Sequence, residues 1–202
     1  MDLQKRQGEL FINSDLSVES YINKNEIFLK KDLLQKWQER IYAFQALLFK
    51  GNNEIYRQGD LFKEISNAPI HHLNPLSLTA LPINFWRWPK SPHKGAAIYL
   101  VMDYLEHQKS HILLYVGETN SAAQRWKGEH DCKNYLEEYS EALNKVGIPS
   151  QLSIRFWTDV PKETLQRRKL EQELIQKWLP PFNKETRSRW ESPFTTSIKP
   201  FR

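Results

Sequence analysis

The chain has 202 residues, 40% of them hydrophobic and 26% charged, a balance that excludes intrinsic disorder or a collagen-like structure and allows one large domain or two small ones. Lysine and arginine number 29 against 24 acids, and this net charge of +5 by itself only hints at an anionic partner. The single cysteine, Cys132, excludes an intrachain disulfide, and no Cys/His cluster has zinc spacing, so a reducing, cytoplasmic location is expected. The first residues, MDLQKRQGEL, lack an apolar signal core, and no stretch approaches the about 18 apolar residues of a membrane span.

Ile27, Leu34, Trp37, Ile41, Phe44 and Leu48 recur at helical spacing, which predicts one long amphipathic helix from about Asn25 to Phe49, with Asn25 as its cap and Gly51 as its stop. A short helical piece is predicted over Asp60–Ile65. Pro69, Pro75, Pro82, Pro89 and Pro92 then make the chain down to Ser91 an extended connector. Apolar runs Ala97–Met102 and Ile112–Val116 predict two antiparallel strands. Helical stretches follow around Ala122–Trp126 and over Cys132–Lys145, the latter closed by Gly147. Leu152, Ile154 and Phe156 alternate with polar residues as a third strand. The last helix runs from about Lys162 to Trp178, between Pro161 and the pair Pro180–Pro181, with Leu165, Leu170, Leu174 and Trp178 as its buried face.

This order describes an α+β domain over residues 94–185, a small antiparallel or mixed three-stranded sheet flanked by helices. A helical N-terminal extension with its Pro-rich connector, 1–93, precedes it. A basic, aromatic C-terminal tail, 186–202, follows.

Within 94–185, Ala97-Ile98-Tyr99 lies on the first strand and Tyr115-Val116-Gly117 on the second, Arg125 on the next helix, and Glu171 on a later helix ahead of Pro-Phe-Asn183. These pieces, in this order and on these elements, resemble the GIY-YIG nuclease family. The resemblance covers the catalytic domain only. It implies a DNA endonuclease that hydrolyses phosphodiester bonds with Mg2+ or Mn2+, in which Tyr99 handles the nucleophilic water, Arg125 stabilises the charged transition state and Glu171 anchors the metal. His130 is then either a group near the scissile phosphate or a surface histidine, and Asn183 either holds the end of the Glu171 helix or touches the phosphate.

The residue chemistry is consistent with these roles. Adjacent antiparallel strands can bring Tyr99 and Tyr115 onto one face, where a phenol can orient or deprotonate a water. A free phenol has a pKa of about 10, so a cation and a guanidinium nearby would be needed to ease its proton off. Arg125 offers a planar fork for a phosphate oxygen, and Glu171 a hard oxygen of the kind magnesium takes. Three departures stand out. Ala97 occupies the first motif's glycine position, and the tyrosines are far enough apart to imply an extended connection over Tyr104–Ser110. Glu118 places a negative charge beside the site, which leaves open an alternative, a nucleic-acid-binding protein that kept the fold and lost cleavage.

Several features lie outside this constellation. His107 and His111 flank the hairpin loop and do not read as a zinc site, and Cys132 reads as a buried small residue. In the tail, Lys184, Arg187, Arg189, Lys199 and Arg202 outnumber Glu185 and Glu191, with Trp190, Phe194 and Phe201 interleaved. Such a tail either follows a nucleic-acid strand or packs its rings back on the domain. The pentapeptides Gln7–Phe11 and Gln58–Phe62 resemble the short peptides that dock on a sliding clamp, and their Leu-Phe pairs equally suit a core.

Overall fold

The strand-forming runs and helical stretches are realised as α1 (Ile12–Phe49), β1 (Leu81–Pro82), β2 (Ala97–Leu105), β3 (Ser110–Thr119), α2 (Ala122–Arg125), α3 (Asp131–Lys145), β4 (Leu152–Trp157), α4 (Thr164–Trp178) and α5 (Arg187–Trp190). The computed structural model describes residues 12–51, 73–88, 93–127 and 131–194, with side chains throughout except at 12–29, 123 and 131. Both clamp-like pentapeptides, the Asp60–Ile65 helix and His130 therefore lie outside the described residues. Among the described residues no helix is long and apolar enough to cross a membrane.

The architecture is α+β, with one antiparallel sheet in the order β1-β4-β2-β3. Its four strands correct the expected three. The added strand, β1, comes from the proline-rich connector, where Leu81 pairs with Ile154 and Pro82 with Ser153. Proline is tolerated there because β1 is an edge and a missing N–H costs the ladder nothing on its outer side. The central strand β2 is buried on both faces, and its unbroken apolar run Ala97–Met102 meets that demand.

The β2–β3 hairpin also differs from the expectation. Both strands run on to a tight connection, a 3-10 turn at Glu106–Gln108 closed by Lys109 at φ 48°, so strand length absorbs the tyrosine spacing and no extended connection forms. The register slips once. Val101 pairs with Tyr115 and Met102 with Leu113, leaving Leu114 as the extra residue of a bulge. Parity flips there, so Leu114 and Tyr115, though consecutive, serve the same face.

Each face carries its own core. Tyr99, Val101, Leu114 and Ile154 pack against α3 and the middle of α1, whereas Ile98, Leu100, Leu113 and Val116 pack against Leu174, Ile175 and Trp178 of α4. On α1, Leu34, Trp37, Ile41 and Leu48 are buried as the periodicity predicts. The helix begins well before Asn25, which is an interior position and not a cap. On α4, Leu165 is 73% exposed, contrary to the predicted buried face, because Arg167 occupies the inward position of that turn.

α1 is tied into the sheet domain by polar groups as well as rings. Trp37 stacks on Phe182 at 6.2 Å, and Gln38 Nε2 donates to Tyr139 Oη at 2.6 Å. Tyr139 Oη in turn donates to the buried Asp103 Oδ2 at 2.7 Å. Gln45 reaches further: its Oε1 accepts from Leu113 N at 2.7 Å, and its Nε2 donates to the carbonyls of Leu113 and Trp178, both at 3.0 Å. The 93/94 division is thus no packing boundary. The tail packs back too, as far as it is described: Trp190 is buried with Nε1 donating to Leu179 O at 2.6 Å, and Phe194 meets Trp37 edge-on at 5.4 Å.

Replacing Gln45 by leucine strands the buried Leu113 N–H and two carbonyls, so Gln45→Leu is expected to lower stability by about 2–4 kcal/mol in urea denaturation. A change within about 0.5 kcal/mol, the range of neutral surface substitutions, would refute that role.

Candidate active site

The pleat brings the two tyrosines together. Tyr99 lies opposite Gly117 in the ladder, and Tyr115, two residues before Gly117, projects from the same face. The rings stack with centroids 5.9 Å apart and planes 24° from parallel. Gly117 makes room for them: a Cβ there would sit 2.4 Å from Cζ and Oη of Tyr99 and 2.8 Å from Cε1 of Tyr115. This glycine is required by ring contact rather than by backbone conformation.

Tyr99 has no exposed surface, closed over by Trp126 at 5.7 Å and Phe156 at 6.3 Å, whereas Tyr115 is half-buried and Arg125 exposed. Arg125, at the end of α2, and Tyr115 both hydrogen-bond to the Tyr99 hydroxyl. Burial pushes the Tyr99 phenol up to about 12 even though these two bonds pull the other way. Burial and the neighbouring Tyr99 drive Tyr115 higher still. Both phenols therefore carry their protons at neutral pH.

Glu171 approaches from α4 on the far side of β3, close enough for its charge to act on Tyr115. It is half-buried, and its Oε1 accepts the Glu118 N–H at 3.0 Å. Burial pushes its carboxyl up to about 7, with the nearby Glu118 charge adding to the rise. The Glu118 carboxylate is itself paired. Arg167 Nε donates to its Oε2 at 2.9 Å, and Arg168 Nε to its Oε1 at 3.4 Å.

Arg167, absent from the sequence reading, is fully buried, and it spends its other donors on the carbonyls of Pro161 and Lys162, both at 3.0 Å, and on Asn120 Oδ1. Its signal in the sequence was the four-residue step to Glu171, which puts both on one face of α4. Asn183 is buried, with Oδ1 accepting from Val116 N at 2.9 Å and Nδ2 donating to Val116 O at 2.8 Å. Its amide holds β3. Cys132 is buried as expected.

Among the described residues no cluster of three or more His, Cys, Asp or Glu side chains could cage a metal ion. Glu171 alone, with one hydrogen bond from Glu118 N, has the donor chemistry for a hydrated magnesium that takes one or two carboxylates and completes its shell with water and phosphate. No family model matches the chain, and no curated protein or solved structure matches it.

Two predictions follow from this packing. The Gly117→Ala methyl must displace rings already closed in by Trp126 and Phe156, so about 1–3 kcal/mol of destabilisation is expected, read by denaturation, with a loss of near-ultraviolet tyrosine dichroism. For Glu171, a folded pKa of about 7 lies above the unfolded value of about 4.3, so the protonated form favours folding. That contribution is complete below about 4.3 and is lost as pH rises through about 7. Relative to wild type, Glu171→Gln should therefore gain stability across that window and run parallel above it in pH-dependent thermal melts; parallel curves throughout would refute the shift.

Proposed function

We propose that the chain is a metal-dependent DNA endonuclease of the GIY-YIG type, hydrolysing phosphodiester bonds by in-line attack of a tyrosine-activated water. One observation carries this reading: Tyr99, Tyr115 and Arg125 meet in a single hydrogen-bonded cluster, with the Glu171 carboxylate acting on Tyr115 from the other side of β3.

Each residue has a role suited to its exposure. Arg125, exposed and permanently charged, presents its fork to a phosphate oxygen and favours the extra negative charge of the pentacovalent transition state. Tyr115 is the more exposed phenol, so the contact with the attacking water falls to it, whereas the family resemblance alone assigns that contact to Tyr99. Tyr99, sealed beneath, is a positioning residue that fixes the Tyr115 hydroxyl and the Arg125 guanidinium. Both phenols hold their protons near neutrality, so Tyr115 orients the water through its oxygen. With a cation on Glu171, the Tyr115 proton would be eased off to solvent, leaving a phenolate able to accept the proton of the water. Mg2+ or Mn2+, held by Glu171, would supply Lewis-acid stabilisation of the phosphoryl charge. A carboxyl poised at about 7 gives up its proton readily under neutral conditions and is then ready for a cation. The rival reading, a DNA-binding protein without cleavage, draws on the negative charge of Glu118, and the pairing of that carboxylate with Arg167 and Arg168 weakens that support.

The test is nicking of supercoiled plasmid and of branched or single-stranded DNA with and without Mg2+. Cleavage should require the ion and fall to background in Glu171→Ala. It should drop by roughly 10²-fold or more in Tyr115→Phe, and by less in Tyr99→Phe. DNA binding with no cleavage above the Glu171→Ala control on any substrate would overturn the enzyme reading.

A further inference from the structure

A second group of polar side chains lies on the opposite face of the sheet, toward the β2–β3 hairpin. Tyr104, five residues along β2 from Tyr99, faces the other way. It pairs across the ladder with His111, their rings 5.1 Å apart and steeply inclined at 62°. Ser153 and Arg155 alternate on β4 and share that face. Together with Pro82 of β1, which pairs with Ser153, these residues line a cavity of about 390 Å³, within the range of small-molecule sites. No residue of the tyrosine–arginine–glutamate cluster contributes to it.

The chemistry of this cavity is unbalanced. Arg155 is only 6% exposed, and its Nη1 donates to the carbonyls of Pro75, Leu76 and Leu78 at 3.4, 3.1 and 2.9 Å, which pins the guanidinium in place. Among the described residues no carboxylate pairs with it, and its buried Nε has no hydrogen-bond partner. Ser153 Oγ, two residues away on the same face, is likewise buried without a partner. Carbonyl dipoles orient a guanidinium but do not neutralise it, and a buried charge lacking a counter-ion is costly. Burial accordingly lowers the affinity of Arg155 for its proton. Two orphan donors and a positive charge without a counter-ion among the described residues, all on residues that line one cavity, are what an oxyanion would satisfy.

We propose that this cavity binds the oxyanion group, phosphate or carboxylate, of a small organic molecule, with Arg155 and Ser153 as its donors and the Tyr104–His111 pair as its aromatic wall. The depth of Arg155 favours a small ligand over a nucleic-acid strand, and the proposal stands independently of the nuclease reading.

The test uses the full chain, titrated separately with inorganic phosphate and with acetate at constant ionic strength while the Arg155 Nε–H and His111 ring signals are followed by NMR. Saturable shifts of both signals with either probe are expected, and the probe that saturates identifies the headgroup. Occupancy should also raise the His111 pKa, because the anion offsets the burial and the Arg155 charge that lower it. Ser153→Ala, which leaves the guanidinium in place, should weaken binding roughly tenfold, and Arg155→Met should abolish it. If Arg155→Met fails to fold, Ser153→Ala decides. Non-saturating responses to both probes, unchanged affinity in Ser153→Ala, or an Arg155 Nε–H already paired with a carboxylate of Glu54, Asp60 or Glu64 would overturn the proposal.

Discussion

An edge strand leaves a row of backbone N–H and C=O groups without a neighbour, and on β3 that row is met by groups drawn from distant parts of the chain. Gln45 of α1 takes both backbone groups of Leu113, the Phe182 N–H takes the Leu114 carbonyl at 3.0 Å, Asn183 takes both groups of Val116, and Glu171 takes the Glu118 N–H. Each of these segments is far from β3 in sequence, yet all converge on the strand that carries Tyr115 and Gly117. A buried peptide group left unpaired costs about 1–3 kcal/mol, so several such bonds fix α1, α4 and the chain after α4 against the sheet more sharply than apolar contact alone would.

This arrangement explains the electrostatics of the candidate site. Glu171 serves as a brace for β3, which draws its carboxylate inward to half-burial and lifts its pKa toward neutrality. The same brace puts it next to Glu118, a contact between two carboxylates whose repulsion Arg167 eases by engaging Glu118 from within α4. The buried guanidinium is tolerable because its donors are met by a carboxylate, two carbonyls and an amide oxygen. Arg155 provides the contrast. It is nearly as buried, but among the described residues its hydrogen bonds go to carbonyls and no carboxylate pairs with it, so the two arginines define a balanced and an unbalanced pocket in one small domain.

The two faces of the sheet divide these tasks through register. Before the bulge Leu113 serves the α4 face, after it Tyr115 serves the α3 face, and Leu114 absorbs the change of parity. Without that extra residue Tyr115 would turn away from Tyr99, since a one-residue slip moves every side chain to the opposite side. Gly117 then lets the two rings close over the backbone.

Much of this was legible in the amino-acid order. Periodicity marked α1, α3 and α4, alternation marked β4, and the apolar runs marked β2 and β3, because helix and strand spacing are local properties of burial. Tyr99, Tyr115, Arg125 and Glu171 could be picked out as a set, since their residue types and order along the elements carry the family resemblance. The tertiary structure alone decided the rest. It recruited Leu81 and Pro82 as a strand, made Gln45 and Asn183 braces, turned Arg167 inward in place of Leu165, and sank Tyr99 beneath Tyr115. These outcomes depend on which distant backbone groups are left unpaired once the sheet has formed. Local pattern records how often a residue meets the core, but not which donor or acceptor it will find there.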